Sequence, residues 1–284
     1  MPGSGLSAPL LNERYRPETL IGRGGTSAVY SGTDVVLGRR VAIKLLSAKA
    51  AADETQYRGE LRILSSLNHH GIVSIIDAGI DRSSPDDLRP FIVMEFVQGE
   101  TLRQALLKRT FTSRQIGEIA YDIAEALEYV HLKAIVHRDI TPANILLVDY
   151  GTKTSRVRAQ LTDFGIAMET DHVPVSSGAT TGTAAYLSPE QARNTTLATP
   201  SDIYSLGLVL LECFTHELAF PGTPVDSAIA RLRQPPAIPP TIPAPWRSLI
   251  KRMTHPAPSE RPNAETVAAV ARAIIIDDET DRNG

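Results

Sequence analysis

The chemistry that this chain can perform is indicated by four polar side chains: Lys44, Asp139, Asn144 and Asp163. A lysine in an apolar strand needs an anion beside it, because an unpaired ammonium group is costly to bury. Asn144 and Asp163 offer the hard oxygen ligands that suit Mg²⁺ bound to phosphates. Asp139 precedes Asn144 by five residues and is free to orient or deprotonate a hydroxyl group. Together these residue types fit chemistry on a metal-bound phosphate group.

Lys44 lies in an apolar, β-branched run that predicts a strand over residues 40–46. Its candidate partner is Glu60, which lies on the apolar face of a helix predicted over residues 51–67. One interpretation is a structural salt bridge between the two side chains. The other is a lysine that Glu60 holds in place and that contacts the phosphates of a nucleotide.

A glycine-rich run precedes this strand and comprises Ile21, Gly22, Arg23, Gly24, Gly25, Thr26, Ser27, Ala28 and Val29. Glycines let backbone N–H groups approach phosphate oxygens, although a structural hairpin turn fits the same run. Ser27 stands where the pattern G-x-G-x-x-G has its third glycine. No helix-opening pattern with an acidic residue about 20 positions later follows, which disfavours a Rossmann site. The absence of G-K-[ST] excludes a Walker A loop.

The chain changes character near residues 96–99. Before this point, apolar runs predict strands over residues 40–46, 72–76 and 91–95. After it, helical periodicity predominates, and three side chains are candidate helix caps: Thr112, Ser201 and Asn263. Thr112 belongs to a capping-box pattern with Gln115, ahead of a long amphipathic helix. A strand-rich part followed by a helix-rich part predicts an α+β fold with two lobes.

These motifs, in this order, resemble those of the protein kinase family. They are His137-Arg138-Asp139 with Asn144, then Asp163-Phe164-Gly165, then Ser188-Pro189-Glu190. The runs at 93–97, 182–193 and 201–207 are similar to those of bacterial eukaryotic-like (Hanks-type) serine/threonine kinases of the actinobacterial type. The resemblance covers residues 15–271. It implies a bilobal protein kinase fold, with a small β-rich N-lobe and a larger α-helical C-lobe.

The resemblance implies a role for each matching residue. Asp139 would orient the substrate hydroxyl and accept its proton, and the other catalytic residues would be Lys44, Glu60 and Asn144. Asn144 and Asp163 would hold the metal ion. Residues 21–29 would cover ATP, whose other contacts would be Ala42, Lys44, Met94, Glu95, Val97, Leu146 and Asp163.

Two further roles in the resemblance are structural. Glu190 would form an ion pair with Arg261. Asp202 would brace the catalytic loop from a buried helix.

The activity implied is a serine/threonine protein kinase that transfers the γ-phosphate of ATP to protein hydroxyl groups, with Mg²⁺ or alternatively Mn²⁺. Thr183 favours serine and threonine over tyrosine as acceptors. A pseudokinase-type ATP-binding scaffold is the alternative, and a small-molecule phosphotransferase is a third, disfavoured by the run 182–190. Thr141 stands where these kinases usually carry a lysine, which predicts slower transfer.

Regulation by phosphorylation is predicted for the loop that follows Asp163. The candidate acceptors are Ser176, Ser177, Thr180 and Thr181. A phosphate there adds roughly −1.5 to −2 of charge and would pair with Arg138, which directly precedes Asp139. A homodimer would allow one copy to phosphorylate the other.

Composition narrows the class of protein. The 29 Lys and Arg residues against 32 Asp and Glu residues give a net charge of −3, which argues against bulk nucleic-acid binding. A single cysteine excludes an internal disulfide framework. No signal peptide and no apolar stretch of about 18–20 residues is present, so the sequence predicts a cytoplasmic chain without a membrane segment.

The predicted organisation has four parts: an N-terminal tail (1–14), the kinase N-lobe (15–97), the C-lobe (98–271) and a polar tail (272–284). Residues 277–284 are predicted to fray. The proline-rich run at 234–245 fits either a polyproline ligand or a rigid connector between helices, and we favour the connector.

Other polar side chains receive structural interpretations. Cys213 is predicted in the core, and His69 and His70 are predicted as cap or surface residues rather than metal ligands. Three basic residues are predicted in a solvated hairpin, with a docking patch as the alternative: Lys153, Arg156 and Arg158.

Overall fold

The computed structural model describes residues 10–24, 27–47, 61–82, 88–151, 156–164 and 184–283. The chain divides into two compact units. The first comprises Met1–Asn68 and Val73–Val97, and the second comprises His69–Ile72 and Gln98–Gly284. In the described residues the first unit is built mainly of strands and the second mainly of helices. The predicted α+β, bilobal fold class is therefore confirmed.

The first unit contains a five-stranded antiparallel sheet in the order β1-β2-β3-β5-β4. Its strands are β1 (Tyr15–Arg23), β2 (Ser27–Asp34), β3 (Arg39–Leu46), β4 (Ile75–Asp81) and β5 (Arg89–Glu95). Alternate residues of β3 and β5 face one core, because side chains in a strand alternate between the faces of a sheet. Val41, Ile43 and Phe91 are fully buried there against Tyr15. Residues 61–65 are helical.

The strands predicted over 40–46 and 91–95 are confirmed, but the strand predicted over 72–76 is wrong. Ile72 makes only an isolated bridge with Leu161, and β4 begins at Ile75 and continues to Asp81. The strand thus extends through Asp77 and Gly79, which are poor strand formers. β4 is an edge strand whose residues are all half-buried, so its backbone pairing with β5 outweighs its weak propensity.

The second unit consists of helices and a small sheet in the order β6-β7-β8. The strands are β6 (Gly99–Thr101), β7 (Ile145–Val148) and β8 (Arg158–Leu161). The helices are α1 (Leu102–Leu106), α2 (Ser113–His131), α3 (Pro189–Ala192), α4 (Pro200–Thr215), α5 (Pro224–Arg233), α6 (Ala244–Met253) and α7 (Ala264–Asn283).

Helix α4 is the core of this unit, since every residue from 201 to 213 is buried. Its close contact with α6 depends on Gly207, where an added Cβ would lie 2.8 Å from Thr254 Cγ2. Cys213 is buried on α4, as predicted. Burial raises the pKa of its thiol, so the side chain behaves as a small apolar group.

Three helix caps were candidates for prediction from short sequence patterns, and the structure confirms two of them. The capping box of Thr112 and Gln115 is confirmed at the start of α2. Asn263 is also confirmed, because its Oδ1 accepts a hydrogen bond from the Thr266 N–H at 2.9 Å. Ser201 as a cap is wrong: α4 begins at Pro200, and Ser201 lies inside it with its hydroxyl on Glu190. Proline at the first helical position is itself a start signal.

Two segments near the C-terminus also test the sequence predictions. The proline-rich run joins α5 to α6, and Arg247 donates to the carbonyls of Pro240 (2.7 Å) and Ile242 (2.9 Å). The connector interpretation is therefore confirmed. Helix α7 continues to Asn283, so the fraying predicted from residue 277 is wrong for the described part.

Arg156, just before β8, and Arg158, on β8, are not the solvated charges that the sequence predicts. Arg156 makes a two-point ion pair with Asp122 of α2 at 2.7 and 2.8 Å, and Arg158 contacts the same carboxylate at 3.1 Å. Asp122 is only 1% exposed, so both arginines neutralise a buried charge. Lys153 lies outside the described residues.

Candidate active site

In the first unit, the strand register places Lys44 in the middle of the sheet. It lies opposite Val29 of β2 and Ile92 of β5. The described residues of the glycine-rich run lie at the end of β1 and the start of β2, where the Gly24 N–H donates to the Ser27 carbonyl at 2.8 Å. Gly25, Thr26 and the predicted partner Glu60 lie outside the described residues.

The residues predicted to contact adenine lie on β3, on β5 and just after it. Ala42 pairs in register with Met94, and both are at least nine-tenths buried. The Glu95 N–H donates to the Ser74 carbonyl at 2.9 Å. Ile21 of β1, which is also predicted to contact ATP, is 50% exposed to solvent. The strand pairing thus brings Ala42 and Met94 together within one sheet.

In the second unit, Asp139 and Asn144 are locked to each other. The Asn144 Nδ2 group donates to Asp139 Oδ2 at 2.8 Å and to the Asp139 carbonyl at 2.9 Å. The short 3₁₀ helix Pro142–Asn144 brings the two residues together. Because the amide nitrogen of Asn144 is occupied in this way, its Oδ1 is the atom suited to a cation.

Asp163 is held beside this pair through its neighbours. The Thr162 N–H donates to the Asn144 carbonyl at 3.0 Å, and the Thr162 carbonyl contacts His137 Nε2 at 3.1 Å. The Phe164 ring packs against the His137 ring, with centroids 4.5 Å apart. Asp163 itself has φ 60°, a left-handed conformation that is uncommon outside glycine. The structure therefore brings Asn144 and Asp163, the two predicted metal ligands, to one place.

His137 has a defined role in this arrangement. It is completely buried, and burial lowers the pKa of its imidazole, which favours the neutral ring. Its Nε2 lies at the Thr162 carbonyl, while its Nδ1 accepts from the Asp139 N–H at 3.4 Å. Both contacts are satisfied by one neutral tautomer, with the proton on Nε2. His137 thus connects the segment of Asp139 to that of Asp163.

Asp202 of α4 braces the segment that contains Asp139, as predicted. Its carboxylate accepts the backbone N–H groups of His137 (2.9 Å) and Arg138 (2.8 Å), and it contacts His131 Nε2 at 2.8 Å. Arg138 has φ 70°, and the two N–H groups on one buried carboxylate hold this left-handed turn in place. Gln191 adds a further contact, donating to the Arg138 carbonyl at 2.8 Å.

Glu190 and Arg261 form the predicted ion pair, at 2.7 and 2.9 Å, and both are buried. Burial alone would raise the pKa of Glu190, but the hydrogen bonds from Arg261 and Ser201 lower it below its ordinary value. The pair ties α3 to the segment before α7, which fixes the C-terminal end of the loop that follows Asp163.

Several residues that position the 184–188 segment, just before α3, were not identified from the sequence. Tyr186 places its hydroxyl on the Glu212 carboxylate, and Arg103 contacts both side chains. Arg231 of α5 binds the backbone carbonyls of Ala184 and Leu187. Such contacts join distant parts of the chain. The Ser188 to Gln191 capping box was the one local signal at this segment.

The structure describes only some of the residues that are predicted to control the reaction rate and its regulation. Thr141 is buried, precedes the 3₁₀ helix and makes no capping hydrogen bond through its side chain. Ser176, Ser177, Thr180, Thr181 and Thr183 lie outside the described residues.

His69, His70 and Glu125 form a cluster of potential metal ligands whose ligand atoms lie within 4.8 Å of one another. The two imidazole rings are 4.4 Å apart and tilted by only 31°, and the His69 ring stacks on Tyr129. Imidazole binds a metal in the plane of its ring, so stacked rings do not point their nitrogens at one ion. His69 Nδ1 accepts from the Gly71 N–H at 3.1 Å, which favours the predicted capping role.

The chain is similar to known proteins over most of its length. The family model described as the protein kinase domain matches residues 15–271. The chain is 37% identical over 273 residues to the serine/threonine-protein kinase PknA of Mycobacterium tuberculosis, covering 92% of this chain and 62% of PknA. It is 40% identical over 237 residues to PknB of Mycolicibacterium smegmatis, covering 81% and 37%. It is 41% identical over 240 residues to PknB of Mycobacterium leprae, covering 82% and 37%.

The chain therefore spans at most about three fifths of the length of these relatives (62% for PknA). Within the described ranges, none of the helices combines the length and the apolar character that crossing a bilayer requires.

Proposed function

The chain belongs to the protein kinase domain family, and we propose that it is a serine/threonine kinase that transfers the γ-phosphate of ATP to hydroxyl groups of proteins. The observation that carries this proposal is the locked pair of Asp139 and Asn144, with Asp163 held beside it through Thr162. Phosphoryl transfer needs positioning and charge stabilisation more than covalent chemistry. These residues provide a base, two metal ligands and a rigid connection between them.

Asp139 orients the substrate hydroxyl and accepts its proton. Its Oδ2 is fixed by Asn144 at 2.8 Å, so the carboxylate has a defined direction. The donor set of Asn144 Oδ1 and the Asp163 carboxylate fits a hard cation, Mg²⁺ or alternatively Mn²⁺. That cation, when bound, neutralises charge on the phosphates of ATP.

The first unit supplies the contacts to ATP in this proposal. Lys44 binds the α- and β-phosphates, held by Glu60, and residues 21–29 cover the nucleotide. The Glu95 N–H is already used by Ser74, so Glu95 offers its carbonyl to adenine and Val97 its backbone. Ala42 of β3 supplies an apolar contact to the base. Because the reaction consumes ATP, this kinase domain works in the cytoplasm.

Autophosphorylation of the loop after Asp163 is part of the proposal. Arg138 lies beside Asp139 in a left-handed turn that Asp202 and Gln191 hold. A phosphorylated serine or threonine of the loop would pair with its guanidinium group and order the loop. Transfer between two copies of the chain would supply the first phosphate.

One residue favours the second candidate function, an ATP-binding scaffold without turnover. Thr141 replaces the lysine usual in these kinases and cannot offer positive charge to the transferring phosphate. Its hydroxyl still donates a hydrogen bond. We therefore favour a slow enzyme over a scaffold.

The test compares the wild type with Asp139→Asn, using radiolabelled ATP and a generic basic protein as acceptor. Asp149→Asn is the matched control, because this exposed aspartate also accepts a hydrogen bond, from the Gly151 N–H. We expect transfer by the wild type and the control, and loss of transfer with retained ATP binding in Asp139→Asn. Transfer that survives in Asp139→Asn would refute the assignment of the base.

Two other results separate the alternatives. Wild-type protein that binds ATP but never transfers label would establish the scaffold. Mass spectrometry of the wild type after incubation with ATP is expected to find phosphate between residues 164 and 188, and its absence there would contradict autophosphorylation.

A further inference from the structure

Helix α5 carries an arginine for which the proposed chemistry has no use. Arg231 is 3% exposed. Its Nη2 donates to the Ala184 carbonyl at 2.7 Å and to Ser227 Oγ at 2.6 Å, its Nη1 donates to the Leu187 carbonyl, and its Nε donates to the Ser227 carbonyl at 3.1 Å. In the described ranges all of these acceptors are neutral.

A buried guanidinium group without a carboxylate is expensive, because it loses its hydration and gains no opposite charge. Burial lowers the pKa of Arg231 to about 10. The face of the Phe220 ring, 5.2 Å away, offsets a part of this penalty. The hydrogen bonds that Arg231 makes must therefore compensate for the rest of this penalty.

Those hydrogen bonds concentrate on the 184–188 segment. Arg231 holds the carbonyls of Ala184 and Leu187, and Ser205 of α4 donates to the carbonyl of Tyr186 at 2.7 Å. Residues 185–186 form a turn, and 187–188 have no regular secondary structure. The carbonyls of Ala184, Tyr186 and Leu187 are therefore held by side chains of α4 and α5, whereas the backbone of Ser188 bonds to α3.

We propose that Arg231 is a positioning residue for the protein substrate: by fixing the carbonyls of Ala184 and Leu187, it gives the 184–188 segment the shape that binds the peptide around the acceptor hydroxyl. This rests on the proposed function and on the run 182–190, which resembles the part of protein kinases that receives the peptide substrate. The planar fork of arginine is required, because its two terminal nitrogens reach two carbonyls at once. Lysine keeps the charge but offers one nitrogen atom.

The test measures kcat and KM for a protein substrate, and separately KM for ATP, in the wild type and three variants. Arg231→Lys and Arg231→Met remove the fork, and Arg233→Met is the matched control, an exposed arginine two residues along the same helix. Losing one charge-assisted hydrogen bond corresponds to about a tenfold change. We expect Arg231→Lys to raise KM for the protein substrate about tenfold, with KM for ATP and the control unchanged.

If Arg231 only stabilised the fold, replacing it would raise both KM values and lower the melting temperature together, and that result would overturn the proposal. Unchanged KM values in Arg231→Lys would overturn it as well. If Arg231→Met does not fold, Arg231→Lys decides the question alone.

Hydrogen exchange gives a second measurement that needs no activity. In Arg231→Lys, the amides of residues 185–188 should exchange faster while those of α4 stay protected, and equal protection would contradict the proposal. If the wild type transfers no phosphate at all, the proposed function fails, and the exchange measurement still shows whether Arg231 holds the segment.

Discussion

Replacing Asp202 by asparagine should slow phosphoryl transfer without weakening ATP binding. Asp202 is 1% exposed and accepts three hydrogen bonds, two of them from the backbone beside Asp139. Asparagine has almost the same shape but exchanges one acceptor oxygen for an NH₂ donor. The substitution therefore tests the brace while creating almost no cavity.

The magnitude follows from the two orientations that the amide can adopt. In the first orientation the amide nitrogen replaces Oδ1 and faces the Arg138 N–H. In the second it replaces Oδ2 and faces the His137 N–H, while His131 can change tautomer and accept a hydrogen bond from it. Either way, one buried backbone N–H loses its acceptor, which costs about 1–3 kcal/mol. If this free-energy cost appears in the transition state because Asp139 is displaced, kcat falls by about fivefold to about a hundredfold.

The assay measures kcat with a protein substrate, the affinity for ATP, and the free energy of unfolding in urea. Asp34→Asn is the matched control. Asp34 is also fully buried, and it accepts the backbone N–H groups of Val36 and Leu37 (both 3.2 Å) as well as the guanidinium group of Arg14, but it lies in the first unit. Both variants should be less stable, and only Asp202→Asn should lose kcat.

Two outcomes would refute the reasoning. Equal losses of kcat in the two variants would mean that the rate responds to general loss of stability. A normal kcat in a destabilised Asp202→Asn would mean that the position of Asp139 does not depend on these hydrogen bonds.

Two further predictions concern charge. Thr141→Lys should raise turnover, because it adds positive charge near the transferring phosphate, whereas Thr141→Met adds similar length without charge and should not; no gain, or a loss, in Thr141→Lys would contradict this. The Arg14 guanidinium group lowers the pKa of Asp34 to about 2. A carboxyl group whose pKa is lowered on folding stabilises the fold above its unfolded pKa of about 3.9 and loses this effect as the pH falls towards 2. The difference in unfolding free energy between the wild type and Asp34→Asn, measured in urea, should therefore shrink from pH 5 to pH 2; a constant difference would rule this out.

The sequence predicts best what is decided over a few residues. The capping box of Thr112 and Gln115 and the strand of Lys44 are both predicted from patterns of a few neighbouring residues. The resemblance in motif order also predicts the ion pair of Glu190 and Arg261, although 71 positions separate the two residues.

What the sequence could not show is decided by distant partners. Arg156 and Arg158 look like solvated charges until the fold places Asp122 of α2 beside them. Arg231 looks like one of several basic residues at the end of a helix, and only tertiary packing buries it. The apolar run at 72–76 predicts the start of β4 too early for the same reason, because the pairing with β5 begins only at Ile75.

The brace on the segment that contains Asp139 also determines when this part of the chain can fold. Asp202 lies 65 positions after His137 and 64 after Arg138, and synthesis proceeds from the N-terminus. The segment that contains Asp139 therefore leaves the ribosome well before the carboxylate that fixes its backbone. Contacts of such long sequence separation form late, because the intervening chain must first be ordered. The residues expected to perform the chemistry consequently reach their final conformation only after α4 has been made and packed.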